Sequence, residues 1–251
     1  VSVLVLYPHG LGDCILLTPA LRAYYETNKK KCHIATLERF KDAKFFDECP
    51  YVDKIFYTKD AWNDYPDSRI GFQSLYEEWK EYAVQSGFEG FVMPMHSVPQ
   101  SKILINAYGL GIKKLSDPRP EIFTTEEDKE IAYKIIKDLV GENDFGFVQT
   151  KAGHELKSLP ENYGRKWILE NTDLKNIIEI GKEIDGYAYN INVQFEILRR
   201  AAAVCLPDSV FYHACNAMNK PIDFVYFARG GEVYHRVKPL HKVEENVAFS
   251  L

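Results

Sequence analysis

The chain has 251 residues, with 46% hydrophobic and 27% charged side chains, and 31 Lys and Arg against 36 Asp and Glu give a formal net charge of −5. A chain of this length forms one large or two medium domains and buries enough core to need no metal or disulfide staple, and its ordinary charged fraction argues against disorder. The acidic balance argues against a protein whose main work is to grip nucleic acid or an anionic bilayer by charge.

In chain order, residues 1–7 are nearly all β-branched or Leu and predict a buried parallel strand. A helix is expected over 13–28, with Leu17, Leu21, Tyr24 and Tyr25 on one face. Pro19 leaves two options there: Thr18 caps a helix starting at Pro19, or a longer helix kinks. The run Lys29-Lys30-Lys31 reads as the cationic end of this helix. Short strands are expected over 33–37 and 53–57, a helix over 71–86, a strand over 91–95 and a short helix over 101–108.

The stretch 112–121, IKKLSDPRPE, is polar with two prolines and marks a domain boundary near residue 118. Thr125 and Asp128 then stand at capping-box spacing before Ile131, Ile135, Ile136 and Leu139, and Gly141 stops that helix. Strands over 145–149 and 176–180, a helix over 193–203, a strand over 203–206, a helix over 209–219 and a strand over 222–227 complete the pattern. The reading is α/β, with two Rossmann-like βα series, 1–118 and 119–251, whose parallel sheets face a central cleft.

Cys14, Cys32, Cys49, Cys205 and Cys215 form no C-x-x-C pair and are odd in number, so neither a zinc-ligand spacing nor a disulfide framework is present. A reduced, cytoplasmic setting is expected. No basic residues precede the apolar 1–7 run, and Pro8, His9 and Asp13 soon break its apolar character, which fits a strand better than a signal peptide. No apolar run approaches the roughly 18 residues of a membrane span.

Three segments can carry chemistry. The first is Pro8-His9-Gly10-Leu11-Gly12-Asp13, directly after the first strand. Glycines there permit a tight turn and close approach of a ligand, and a carboxylate such as Asp13 can take a proton from a substrate hydroxyl. The alternative is that Asp13 simply caps the next helix. Ile15 stands where a dinucleotide fingerprint needs glycine, which argues against a pyridine-nucleotide dehydrogenase. The second segment is the loop 150–160, from Thr150 to Pro160, where Lys157 can neutralise a phosphate or be merely solvated. The third is Leu206-Pro207-Asp208-Ser209-Val210-Phe211-Tyr212-His213, a strand end running into a helix start, where free N–H groups favour an anion. The plainer reading makes Asp208 or Ser209 a cap and His213 a packed residue.

Taken together these segments resemble glycosyltransferase family 9, the ADP-heptose:lipopolysaccharide heptosyltransferases. The resemblance rests on Gly12-Asp13, Thr18-Pro19-Ala20-Leu21-Arg22, Lys157-Ser158-Leu159-Pro160 in place of a K-x-W-P element, Gly181-Lys182-Glu183 and Asp208-Ser209-Val210-Phe211-Tyr212-His213, followed by Lys220-Pro221. Val210 stands where the family has glycine, and Leu159 where it has tryptophan. The resemblance implies a GT-B fold and inverting, metal-independent transfer of a heptose-like sugar, with no cofactor. It implies a nucleoside diphosphate sugar as donor, ADP-linked in the named family, and a saccharide or glycolipid hydroxyl as acceptor.

By carry-over, Asp13 is the general base beside Gly10 and Gly12. Thr150 and Lys157 contact the diphosphate, and the amides of Ser209 and Val210 receive its distal phosphate. Glu183 lies near the ribose, Ile191 beside the base, and Asp208 and His213 at the sugar end. The implied setting is cytoplasmic, with at most peripheral contact at the inner membrane face, and no nucleic acid partner is expected. Two alternatives stand beside this reading: a sugar-nucleotide epimerase on the same fold, and an inactive nucleotide-sugar-binding protein derived from such an enzyme.

Overall fold

Strand β1 (Val3–Tyr7) is buried from its second residue onward, as its apolar sequence requires. A computed structural model places it at the centre of the first sheet, and describes residues 3–94, 102–152, 157–184, 190–227 and 232–237. Helix α1 (Leu11–Asn28) follows, then β2 (Cys32–Leu37), a 3₁₀ turn (Glu38–Ala43), β3 (Val52–Thr58), α2 (Ser68–Gln85), β4 (Gly90–Val92) and α3 (Lys102–Gly109). The four strands are all parallel, in the order β3-β2-β1-β4. Leu4, Leu6, Ala35 and Leu75 form a buried cluster under α2, against which Phe56, Phe72, Trp79 and Phe91 pack.

The α1 sequence resolves the Pro19 question in favour of one helix. Pro19 has no N–H to give the Ile15 carbonyl one turn back. The Thr18 hydroxyl donates to that carbonyl instead, at 2.8 Å, so the helix continues through the proline. The same oxygen accepts the Glu121 N–H at 2.8 Å. One turn later Arg22 donates to the carbonyls of Asp117 (2.7 Å) and Arg119 (3.1 Å) and pairs with Glu121 at 3.0 Å. The Thr18–Arg22 stretch is thus a clasp on the segment 117–121 that closes the first unit. Arg22→Met is expected to destabilise the fold by about 2 kcal/mol, because it leaves two carbonyls and a carboxylate without their cation. Urea denaturation of the variant checks this, and an unchanged midpoint would remove the clasp.

The described chain divides into two compact units, the first through Glu121 and the second from Ile122. The second contains α4 (Glu126–Val140), β5 (Phe145–Gln149), α5 (Tyr163–Asn171), β6 (Asn176–Ile180), α6 (Ile191–Arg200), β7 (Ala203–Pro207), α7 (Val210–Met218), β8 (Ile222–Phe227) and β9 (Glu232–Val237). Both halves of the Thr125–Asp128 capping box are present, and Gly141 ends α4 with φ of 66°. Strand order is β6-β5-β7-β8-β9.

Two features correct the sequence reading. Strand β9 runs antiparallel to β8, so the second sheet is mixed rather than wholly parallel. The reason is chain length: the four residues between Phe227 and Glu232 are too few for a crossover. Helix α5, unassigned from sequence, packs on β5 through two glycines. A Cβ on Gly146 would sit 2.4 Å from Ile168, and one on Gly164 2.7 Å from Val148. All five cysteines are buried. Burial pushes the Cys32, Cys49 and Cys215 thiols up to about 12, and raises those of Cys14 and Cys205 as well. They belong to the core. No helix among the described residues is long and apolar enough to cross a membrane.

Candidate functional site

Each sheet reverses direction of growth at one place, and open α/β sheets bind ligands outside the strand ends at such a point. In the first unit it lies between β1 and β4, in the second between β5 and β7.

At the β1 end, Gly10 is the N-cap of α1 and Asp13 lies in the helix's first turn, not in a loop. A carboxylate is favoured there by the partial positive charge of the helix start. Gly10 has φ of −62° and Gly12 is already helical, so neither glycine serves the tight turn expected of it. Nor does crowding require glycine at position 10: a Cβ there would meet only Asp13 Oδ2, at an ordinary contact distance of 4.0 Å. The other carboxylate oxygen, Oδ1, accepts from the ammonium of Lys102, at the start of α3. The backbone of Asp13 is held from beneath. The buried Tyr7 hydroxyl donates to its carbonyl at 3.1 Å. The buried Asn106 amide donates in turn to Tyr7 Oη (3.2 Å) and to the Leu16 carbonyl (3.1 Å).

His9 completes this edge. Its Nε2 lies 3.2 Å from the Pro94 carbonyl, which can only accept, so Nε2 carries the hydrogen. Burial lowers the His9 pKa, against the opposing pull of Asp13. A carbonyl-anchored imidazole thus joins the β1 and β4 ends.

In the second unit the corresponding edge is built from two strand ends. Gln149 closes β5. It accepts from the Ser209 hydroxyl and donates through Nε2 to the Lys151 carbonyl at 2.8 Å, tying the β5 and β7 ends together. Ser209 is the N-cap of α7 but gives the helix no side-chain cap, since its hydroxyl is turned to Gln149. Val210 follows as the first helical residue, and His213 lies one turn on, half-buried, with its ring 5.3 Å from that of Tyr212. Lys157 Nζ donates to Asp208 Oδ2 at 2.9 Å, which sets an ammonium directly before the α7 start. The structure therefore gathers Lys157, Asp208, Ser209 and Val210 at the β5/β7 switch point.

The remaining candidates have other partners. Thr150 donates to the buried carboxylate of Glu179. Glu183 accepts from Arg165 at 2.7 Å and from the Glu179 N–H at 2.9 Å. Ile191 is a core residue, 7% exposed, in the first turn of α6. Asn190 caps that helix by accepting from the Val193 N–H at 2.9 Å. Leu159, which replaces the family's tryptophan, is buried with Val148, Ile168 and Phe224, and Trp167 packs half-buried against the same cluster.

Sequence reasoning missed Lys102, Gln149, Glu179 and Arg165. Gln149 and Glu179 were within reach, because a polar residue inside an otherwise apolar strand needs a buried partner. The groups around Lys102 and Arg165 come from distant segments and leave no local pattern. Among the described residues no three His, Cys, Asp or Glu side chains cluster as metal ligands.

No family model matches the chain, and no curated protein matches it by sequence. Its fold is similar to solved glycosyltransferase structures. A glycosyl transferase of family 9 from Veillonella parvula matches over 90% of this chain and 80% of that one, at 12% identity and a TM-score of 0.56. The Escherichia coli ADP-heptose lipopolysaccharide heptosyltransferase II matches over 90% and 84%, at 12% identity and 0.59. The E. coli heptosyltransferase WaaC, solved with ADP-2-deoxy-2-fluoro heptose, matches over 90% and 88%, at 14% identity and 0.51.

Proposed function

We propose that this protein is a glycosyltransferase that moves a heptose-like sugar from a nucleoside diphosphate donor to a saccharide or glycolipid hydroxyl. The observation that carries the reading is the Lys157–Asp208 pair set against the start of α7 at the β5/β7 switch point. An ammonium and the N–H groups of a helix start are what a departing nucleoside diphosphate needs, since negative charge grows on its phosphate oxygens as the sugar leaves. In this reading the second unit holds the donor and Asp13 of the first serves the acceptor. The acceptor oxygen attacks the anomeric carbon, the bond to the diphosphate oxygen breaks with its electron pair, and the acceptor proton passes to Asp13. One displacement inverts the anomeric centre. Lys157 and the α7 start take the leaving-group charge, so the proposed reaction requires no metal.

A nucleotide-sugar-binding protein without turnover is the second reading. Val210 favours it, because a β-branched side chain stands at the first position of α7, where a distal phosphate would approach. A thermal-shift screen of nucleoside diphosphate sugars comes first. A ligand at a hundred times its dissociation constant stabilises by about 2.7 kcal/mol. Nucleotide release is then measured with and without saccharide acceptors. Acceptor-dependent release supports transfer. Binding without release supports the second reading, and sugar isomerisation without release supports an epimerase. Silence across the whole donor panel overturns the proposal.

A further inference from the structure

We infer that Trp62 is a stacking platform for a pyranose ring of the acceptor, held rigidly beside the strand end that carries His9 and Asp13; this rests on the glycosyl-transfer reading above. Trp62 is 63% exposed. Leaving so large an apolar ring in water has a cost that a flexible loop would relieve by collapse. This loop cannot collapse, because its backbone is tied on both sides of Trp62.

The tie is Asp60, 6% exposed. Its Oδ1 accepts from the Trp62 N–H at 2.9 Å, and its Oδ2 accepts from Asn63 at 2.6 Å and pairs with Arg39 at 3.1 Å. Its own N–H donates to Asp64 at 2.7 Å, and its carbonyl accepts the Asn63 and Asp64 N–H groups. On the other side, Ala61 is fully buried against Gly71 of α2, where a Cβ would lie 2.6 Å from the Ala61 carbonyl. A buried carboxylate and a glycine contact thus hold a tryptophan outward. The backbone beneath such a ring has little ordering entropy left to lose when a ligand binds.

Position supplies the second argument. Phe72 of α2 links the loop after β3 to the β1 end. Trp62 meets Phe72 edge-on at 5.4 Å between centroids, Phe72 lies 5.9 Å from His9, and His9 lies 4.7 Å from Tyr7. A continuous line of rings therefore joins the exposed indole to the residues that hold Asp13. Chemistry selects the occupant. The platform is a single flat apolar face, and its neighbours Lys59, Asn63 and Asp64 are polar and exposed. A pyranose matches that pattern, with C–H bonds on its face and hydroxyls around its rim, whereas an acyl chain needs a continuous apolar groove.

The test is binding of the labelled protein to an array of bacterial and eukaryotic glycans. Wild-type protein is expected to bind a defined set. Trp62→Ala is expected to lose about tenfold in affinity for that set, and Trp62→Phe, which keeps a smaller face, less. Trp62→Gln, with similar reach and no ring, should match Trp62→Ala and guards against a folding artefact. Wild-type protein that binds no glycan, or ring-less variants that bind as wild type does, would overturn the platform. The two readings fail separately. Trp62-dependent glycan binding without acceptor-dependent nucleotide release removes the transfer reading alone. Intact transfer with unchanged acceptor KM in Trp62→Ala removes the platform alone.

Discussion

Asp13→Asn is expected to slow sugar transfer about 10²–10⁴-fold, the range lost when a positioned general base is removed, while the affinity for nucleoside diphosphate stays as it was. The variant is close to isosteric, and its side-chain oxygen can still accept from Lys102, so α3 and the first turn of α1 keep their contact. The main-chain support also remains: Tyr7 still donates to the residue-13 carbonyl, and Asn106 still holds Tyr7. What is lost is an oxygen able to take a proton. In the wild type Lys102 pairs with Oδ1, and the same contact is open to the amide oxygen of the variant. Nucleotide release in the presence of acceptor measures the rate, and calorimetry with a nucleoside diphosphate measures donor affinity. Turnover at the wild-type rate would end the base assignment. Weakened donor binding would point instead to a damaged fold.

The fold was legible in the sequence where the signal is local. The apolar run at 1–7, the capping box at Thr125 and Asp128, and the Pro and Gly punctuation each derive from backbone chemistry within a few residues. The two βα series came from the same source, as did the strand-to-helix junction at Asp208 and Ser209. Features made by distant partners were hidden. Helix α5 depends on Gly146 and Gly164 making room for Ile168 and Val148, an interlock without periodicity. The partner of Asp13 comes from 89 positions away, and the carbonyls that Arg22 grips from 95 and 97.

The glycines of the first segment teach a related point. Gly10 and Gly12 looked like turn residues, yet both adopt conformations open to any residue. Composition identified a place where the backbone is bare, but at Gly10 neither torsion nor crowding demands it. In the same way Thr18 and Arg22, which match a family motif, have a structural use that no pattern states. They carry a helix through a proline and clasp the segment from Asp117 to Glu121.

Lys157→Met is expected to weaken nucleoside diphosphate binding roughly 10–100-fold, which is the range for losing a charge-assisted hydrogen bond and leaving its partner charge unopposed. Methionine keeps most of the apolar stem, so the loss reports the ammonium rather than packing. Two effects act together. The attraction between Nζ and the diphosphate disappears. In addition Asp208, whose Oδ2 lies 2.9 Å from Nζ and whose side chain is 28% exposed, faces the incoming anion without its counter-ion. The second effect is separable. Asp208→Asn in the Lys157→Met background should recover part of the lost affinity, and Asp208→Asn alone should bind the diphosphate at least as well as wild type. That non-additive pattern is the signature of one shared site. Because both side chains are part-exposed, added salt should weaken wild-type binding more steeply than that of Lys157→Met. Calorimetry across the four proteins at two ionic strengths makes the measurement. Equal affinity in wild type and Lys157→Met would remove the phosphate from this edge of the sheet.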